Sequence, residues 1–392
     1  MKTYKEKLES GLINYDLSLL GDKNDLLFMD IETTGFAARS SVLYMTGCVY
    51  FENDEPVLVQ YFAQKPEEEK EVLTAFLALC REKKVLIHYN GNNFDIPYLK
   101  HKCSYYGFNE PFSEMDGVDI YKRIMPYRHI LGVENLKQKT MEKYLGIDRE
   151  DAYNGGELIN IYREYVTAFV LAEKSAGLDN VSVPAQYNML ESYRELLLLH
   201  NADDMKGMLG LLSLLSIADI TLRPFKVSKV STKKVTEPTG AVHQYLMIKL
   251  LFSSSIPKKI SISRKGCHLT AGGTVGELEI NMFSGELKYF YGNYKEYYYL
   301  PEEDMALHKS VAGYVSPDHR TQATASNCYT RKEGLFLPQW DLLFEPVFKS
   351  SYEDDGLYFE LTEEFKKNPS DFARYARHIL DMISHSKNKK LF

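Results

Sequence analysis

The chain has 392 residues, of which 44% are hydrophobic, 26% charged and 13% aromatic; this is enough apolar material for a sizeable core and excludes a disordered chain. The length suggests two domains. The net charge of −7 is uneven: residues 1–225 carry 24 Lys/Arg against 34 Asp/Glu (−10), and residues 226–392 carry 23 against 20 (+3), so the two parts should do different electrostatic work.

Residues 1–25 read as a polar lead-in without the apolar stretch of a signal peptide. Leu26-Leu27-Phe28-Met29 is an apolar run that predicts a buried strand over 26–31. Ser41–Phe51 and Val57–Gln64, with the turn Glu52–Pro56 between them, form a hairpin pattern. Pro66 followed by Glu67-Glu68-Glu69 marks a helix start. Val85–Tyr89 reads as a short strand, and Asn90-Gly91-Asn92 turns the chain into a helix from about Phe94 to Tyr106. Asp119 to Ile217 reads as mostly helical, ending in two helices, Glu191–Leu199 and Asp204–Ala218. Strands, a helix, a strand and then a run of helices suit an α/β unit, a mixed sheet flanked by helices, over residues 26–221.

Composition shifts near Pro224. Residues 226–392 read as a β-rich accessory domain, with Pro238–Gly240, Ala271–Gly273 and Ser284-Gly285 as turns between strands. A helix is expected over Asp371–Ser384, with a frayed tail at Lys387–Lys390. No stretch approaches the length of a membrane span. The five cysteines are scattered without CxxC spacing and read as reduced thiols, so a cytoplasmic, membrane-free protein is expected. Zinc held by Cys267, His268, His308 and Cys328 is disfavoured by the spacing.

Asp30 and Glu32 are two apart at the end of the first strand, so both side chains point to one face. Two buried anions that close need a cation between them, and a divalent metal is the simplest. The alternative is a strand end with solvated acids. Thr33, Thr34 and Gly35 then turn the chain. Asp95 starts a helix after the Asn90–Asn93 turn, where it also compensates the helix dipole. His200 and Asp204 are four apart and share a helix face, beside the apolar stripe Met205, Met208, Leu209 and Leu212.

In combination, FMDIETTGF, HYNGNNFDIPYL, the middle stretch MDGVDIY…EKYLGIDRED and HNADDMKGM resemble the YprB-type ribonuclease-H-like domain proteins of the DEDD 3′→5′ exonuclease superfamily, over roughly residues 26–217. The resemblance implies a ribonuclease-H-like fold and a metal-dependent nuclease that hydrolyses phosphodiester bonds with two ions, Mg²⁺ or Mn²⁺. Carboxylates are the natural ligands of such hard ions. Asp30, Glu32, Asp95 and Asp204 are then the metal ligands, and His200 orients or deprotonates the attacking water. His200 can equally be a helix-capping or core histidine. The resemblance departs from its superfamily at the closing motif, where histidine stands at the spacing of the tyrosine class. Asp203 would face another side of the helix, so Asp204 is preferred. Thr33, Thr34, Asn90 and Asn93 are candidate contacts to the terminal nucleotide, or simply turn residues. Asp119 is expected to support the site from behind the ligands, although helix capping explains it nearly as well.

Nine cations (Lys226, Lys229, Lys233, Lys234, Lys249, Lys258, Lys259, Arg264, Lys265) against Glu237 alone make residues 226–265 a candidate surface for DNA or RNA with a single-stranded 3′ end. The tyrosines from Tyr289 to Tyr299 either stack on bases or line a core. Two other readings stay open: a non-catalytic nucleic-acid-binding or scaffold protein that keeps the fold, and an acidic pocket for structural Ca²⁺. The presence of all four acids argues against the first, and the missing Asp/Gly loop spacing against the second.

Overall fold

The computed structural model describes residues 1–151, 153, 155–175 and 184–384. The chain divides into two units, Met1–Asp219 with Ser254–Lys258, and Ile220–Ser253 with Lys259–Phe392.

The first unit is built on a six-stranded mixed sheet. Its strands are β1 (Lys2–Lys7), β2 (Leu26–Thr33), β3 (Leu43–Glu52), β4 (Glu55–Phe62), β5 (Val85–His88) and β6 (Asp116–Asp119), in the order β1-β4-β3-β2-β5-β6. β2 pairs antiparallel with β3 and parallel with β5, and β5 is parallel to β6. Leu26 to Met29 are fully buried, as a strand covered on both faces should be. The first helices are α1 (Glu69–Cys80), α2 (Asp95–Tyr106) and the short α3 (Ile120–Ile124) and α4 (Arg128–Leu131). They are followed by α5 (Gln138–Leu145), α6 (Gly155–Ser175), α7 (Pro184–Leu211) and α8 (Leu215–Ala218). Met29, Met45, Phe62, Phe76, Leu99, Tyr162 and Leu197 share one core, so α1, α2, α6 and α7 are fastened to the sheet by apolar burial. Tyr162 stacks on Tyr44 with ring centroids 4.2 Å apart, which seats α6 on β3.

Two local expectations differ. The polar segment at the start contributes β1, which pairs with β4 from Lys2↔Phe62 to Lys7↔Val57. Its charged side chains suit an edge strand, where lysines discourage further pairing. The two helices expected over 191–218 begin as one continuous α7. No proline or glycine interrupts His200-Asn201-Ala202-Asp203-Asp204, and its polar side chains find partners inside the unit.

The second unit carries a five-stranded sheet in the order β14-β13-β9-β8-β7 and a three-stranded sheet in the order β11-β10-β12. The strands are β7 (Phe225–Thr236), β8 (Val242–Arg264), β9 (Cys267–Phe290), β10 (Tyr297–Leu300), β11 (Met305–His308), β12 (Thr321–Gln322), β13 (Tyr329–Gln339) and β14 (Leu357–Glu360). Three helices, α9 (Lys309–Ala312), α10 (Glu363–Lys366) and α11 (Pro369–Ser384), complete it. The tail at Lys387–Lys390 lies outside the described residues.

Ala271–Gly273 and Ser284-Gly285 are not turns but parts of β9. At Gly272 a Cβ would come within 3.2 Å of the Lys259 Cα, so glycine there answers a close approach of backbones. The hairpin turn is Lys265-Gly266, with φ of +47° and +75°, the left-handed pair that a two-residue turn requires.

Candidate functional site

β2 and β3 pair with Asp30 opposite Gly47 and Glu32 opposite Met45, and the register shifts between Glu32 and Thr33. The carboxylates therefore leave the sheet from one face where regular pairing ends. Asp95 opens α2 and is 9% exposed. α7 brings His200 and Asp204. Oxygens of Glu32 and Asp204 and a ring nitrogen of His200 lie within 4.8 Å of one another. Among the described residues this is the one group of three or more His, Cys, Asp or Glu side chains gathered so closely. Asp30 and Asp95 stand outside that tight group, and the Asp204 charge disfavours ionisation of both. Cys267 and Cys328 are buried free thiols and belong to no such group.

His200 Nε2 lies 3.2 Å from Asp204 Oδ2 and 3.8 Å from Glu32 Oε1. Its Nδ1 meets Asp151 Oδ2 at 2.6 Å. Arg149 Nη1 donates to Asp204 Oδ1 at 2.7 Å and to Glu142 Oε2 at 2.9 Å. Asn201 Nδ2 donates to Asp30 Oδ2 at 3.1 Å, and Gln60 Nε2 supports it by donating to Asn201 Oδ1 at 3.0 Å. Asp203 faces elsewhere: its Oδ2 accepts the backbone N–H groups of Glu150 and Asp151 at 2.9 and 2.8 Å. Asp203 and Asp204 thus leave α7 on different sides, Asp204 toward His200 and Arg149 and Asp203 toward the 150–151 backbone.

Charge crowding marks the site. Burial, followed by repulsion from Asp204, Glu32 and Asp95, holds the Asp30 carboxyl well above the usual carboxylate range. Burial pushes Glu32 up to about 8, against the pull of His200. Burial pushes Asp95 up to about 7, with backbone hydrogen bonds at Asp95 and Ile31 offsetting part of it. For His200, burial favours the neutral ring, but Asp204, Glu32 and Asp151 outweigh it and raise the pKa to about 9. Burial also opposes ionisation of Asp204, yet His200 and Arg149 prevail and lower its pKa. Asp151 is lowered as well, because Tyr153 N–H and His200 outweigh its burial. A cluster of buried acids that resists full ionisation by itself is a donor set that fits a hard divalent cation.

The remaining candidates build turns. Thr33 Oγ1 donates to Gly35 O at 2.9 Å, and Thr34 Oγ1 accepts Val42 N–H at 2.9 Å. Asn90 adopts φ +62°, and its Oδ1 accepts from Asn93 Nδ2 at 2.6 Å. Asp119, 4% exposed, accepts the backbone N–H groups of Asn90 (3.0 Å), Asn92 (3.4 Å) and Lys122 (3.2 Å). It therefore caps α3 and also fixes the turn that delivers Asp95.

Sequence reasoning overlooked Arg149, Asp151, Asn201 and Glu142, although all four lie inside the motif stretches EKYLGIDRED and HNADD. It also overlooked Phe36, 90% exposed, whose ring meets Phe94 edge-on at 6.0 Å between the two acidic motifs.

In the second unit, β7 is a largely exposed edge strand. Register pairs Lys226 with Leu251, Lys229 with Lys249 and Lys233 with Tyr245, so these residues share its outer face. Lys233 also reaches Glu279 at 3.2 Å. The core reading holds for Tyr289, which packs on Leu287, Phe336 and Phe348, and for Tyr291, Tyr297 and Tyr299, which pack around Ala306, Ala323 and Cys328. Tyr298 differs: Lys309 and Arg320 lie 5.1 and 4.7 Å from its ring centre. No helix among the described residues is long and apolar enough to cross a membrane.

Residues 27–216 match a family model of the RNase H superfamily. No curated protein matches the chain. Among solved structures it is similar to the family B DNA polymerase of the hyperthermophilic archaeon Pyrobaculum calidifontis, at 14% identity and TM-score 0.38, covering 92% of this chain and 46% of that one. It is also similar to E. coli exonuclease I in complex with a dT13 oligonucleotide, at 13% identity and TM-score 0.26, covering 58% and 54%. The chain thus spans about half the length of these two proteins. The mixed sheet, its flanking helices and the family match agree: residues 27–216 form a domain of the RNase H superfamily.

Proposed function

We propose that the protein is a metal-dependent nuclease that hydrolyses phosphodiester bonds of DNA or RNA, acting as a 3′→5′ exonuclease. One observation supports the reading: within an RNase H-superfamily domain, β2 and α7 bring Glu32, Asp204 and His200 within 4.8 Å of one another, and burial of the neighbouring Asp30, Glu32 and Asp95 carboxyls favours a bound cation. Asp30, Glu32, Asp95 and Asp204 would hold Mg²⁺ or Mn²⁺, in a two-ion arrangement. Such ions, when bound, activate a water and neutralise charge developing on the phosphoryl group.

The chain's own residues supply the rest. His200 Nε2, beside Asp204 and Glu32, orients the attacking water, or takes its proton once bound cations offset the acids that hold the ring protonated. Arg149 fixes Asp204, and Asn201 fixes Asp30, so that both carboxylates are pre-oriented. The turns of Thr33, Thr34, Asn90 and Asn93 contact the terminal nucleotide. In the second unit, the lysines around β7 hold the phosphate backbone of a single strand.

The test uses end-labelled single-stranded DNA, duplex DNA and RNA with Mg²⁺, Mn²⁺ or chelator. Stepwise shortening from the 3′ end with either ion, and none with chelator, is expected. Undiminished hydrolysis in chelator, or no hydrolysis of any substrate, would overturn the proposal. The second result would favour the binding-only reading.

A further inference from the structure

Asp151 and Asp203 are among the buried acids that this account leaves unused. Asp151 and Asp203 are 9% and 8% exposed, and a buried carboxylate needs partners. Asp203 points away from the cluster and accepts two consecutive backbone N–H groups, those of Glu150 and Asp151. This fastens the chain after α5 onto α7. Asp151 in turn accepts Tyr153 N–H on Oδ1 at 2.9 Å and faces His200 Nδ1 with Oδ2 at 2.6 Å. Lys139 Nζ, at 3.3 Å, and Arg149 Nη2, at 3.5 Å, stand beside that same oxygen. An oxygen facing the Lys139 ammonium and the Arg149 guanidinium belongs to an ionised carboxylate, and a carboxylate only accepts. The proton of the Asp151–His200 bond therefore sits on Nδ1. The other ring nitrogen, Nε2, is then the one turned toward Glu32 and Asp204.

We propose that Asp151 is a positioning residue for His200: it holds the ring through Nδ1 and so keeps Nε2 turned toward Glu32 and Asp204, and Asp203 holds Asp151 there through the backbone of residues 150 and 151. The kinetic consequence rests on the nuclease reading; the contact itself does not. A histidine whose far nitrogen is held by a carboxylate keeps one tautomer and one orientation.

The experiment uses the full chain with ¹⁵N-labelled histidine rings. The wild-type protein should show a downfield, slowly exchanging Nδ1 proton that disappears in His200→Gln. Asp151→Ala should lose it. Its kcat on single-stranded DNA with Mg²⁺ should fall about 10–100-fold, with KM within about twofold, as for other outer-shell partners. Asp151→Asn keeps the shape of the side chain and guards against a folding failure; in it the resonance should move upfield and kcat should fall in the same direction. Absence of the resonance in the folded wild type, its survival in Asp151→Ala, or an unchanged kcat in both folded variants overturns the assignment. If the wild-type protein hydrolyses no nucleic acid, the nuclease reading fails, and the resonance alone decides whether Asp151 holds His200.

Discussion

Gly47 and Asn201 occupy one space: the Asn201 side chain lies where a Cβ on residue 47 would be. Gly47 sits in the middle strand of three, paired with Asp30 on one side and Gln60 on the other. Only a residue without a side chain lets Asn201 cross β3, take its bond from Gln60 and donate to Asp30. Gly47→Ala should therefore expel the amide. We expect a loss of about 1–3 kcal/mol in stability, as for other overpacked sites, and weaker divalent-ion binding. Chemical denaturation and calorimetry check the two effects separately; a variant unchanged in both would show that the Asn201–Asp30 bond has no role.

Removing single charges from the acids should separate chemistry from folding. Asp30→Asn and Asp204→Asn are expected to abolish hydrolysis while leaving the protein folded, Asp30→Asn with a thermal transition near that of the wild type because that site loses repulsion. Asp204→Asn has a second effect, because it weakens the anchor of Arg149. His200→Ala should lower turnover by about 10²–10⁴-fold with metal binding retained. Full activity in any of the three removes that residue from the site.

Titration provides another test. With ions stripped by chelator, Glu32 titrates near 8 against an ordinary 4.5, and Asp95 near 7 against 3.8. The folded protein then binds more protons than the unfolded chain through this range, so stability falls as pH rises. His200, raised to about 9 from 6.5, adds the same sign at higher pH. Asp204, which is lowered, contributes the opposite sign only at acid pH. The melting temperature of the chelated protein should decline between about pH 5 and 9, and added Mg²⁺ or Mn²⁺ should restore it most at the alkaline end. A flat profile with chelator would contradict the crowding of these groups.

The division of labour between the units predicts a salt effect. Charge reversal at Lys233, Lys234, Lys258 and Lys259 should weaken single-strand binding and flatten its dependence on salt, while turnover at saturating substrate changes little. Lys233 is partly engaged with Glu279, and Lys258 lies 5.8 Å from the Tyr144 ring centre, so those two should contribute less than Lys234 and Lys259. Identical affinity and salt slope in the reversed protein would leave Lys233 and Lys234 on β7 as a solvated edge that merely blocks further strand pairing, and Lys258 and Lys259 on β8 as solvated surface charges.

What the sequence discloses and what it hides follow from how local each signal is. Asp30 and Glu32 were legible because strand periodicity fixes their common face. Asp95 was legible because a glycine turn and a helix start announce it, and His200 and Asp204 because helical spacing joins them. β1 was hidden because a short charged strand draws its hydrogen bonds from β4, 50 to 60 residues away. The continuity of α7 was hidden because HNADD looks like a linker until its polar groups find buried partners. Gly272 and Gly273 misled for the opposite reason: they look like a turn, but Gly272 serves the close approach of one strand to another and Gly273 a left-handed φ of +56° within β9. Arg149 and Asp151 sit beyond the end of α5, and nothing in their neighbours in sequence says that α7, some fifty residues on, receives them.

α7 is a ruler with four marks. Within five consecutive residues it reaches Glu32 and Asp151 through His200, Asp30 through Asn201, the 150–151 backbone through Asp203, and Arg149 through Asp204. Each residue turns the helix by about 100°, so these contacts leave in different directions from one rigid rod. Adding or deleting one residue between 200 and 204 cannot be absorbed locally, because it throws every later mark out of phase by that angle. The histidine-to-aspartate spacing of this chain is therefore tied to where the chain after α5 lies, and a change in one should be tolerated only with a compensating change in the other.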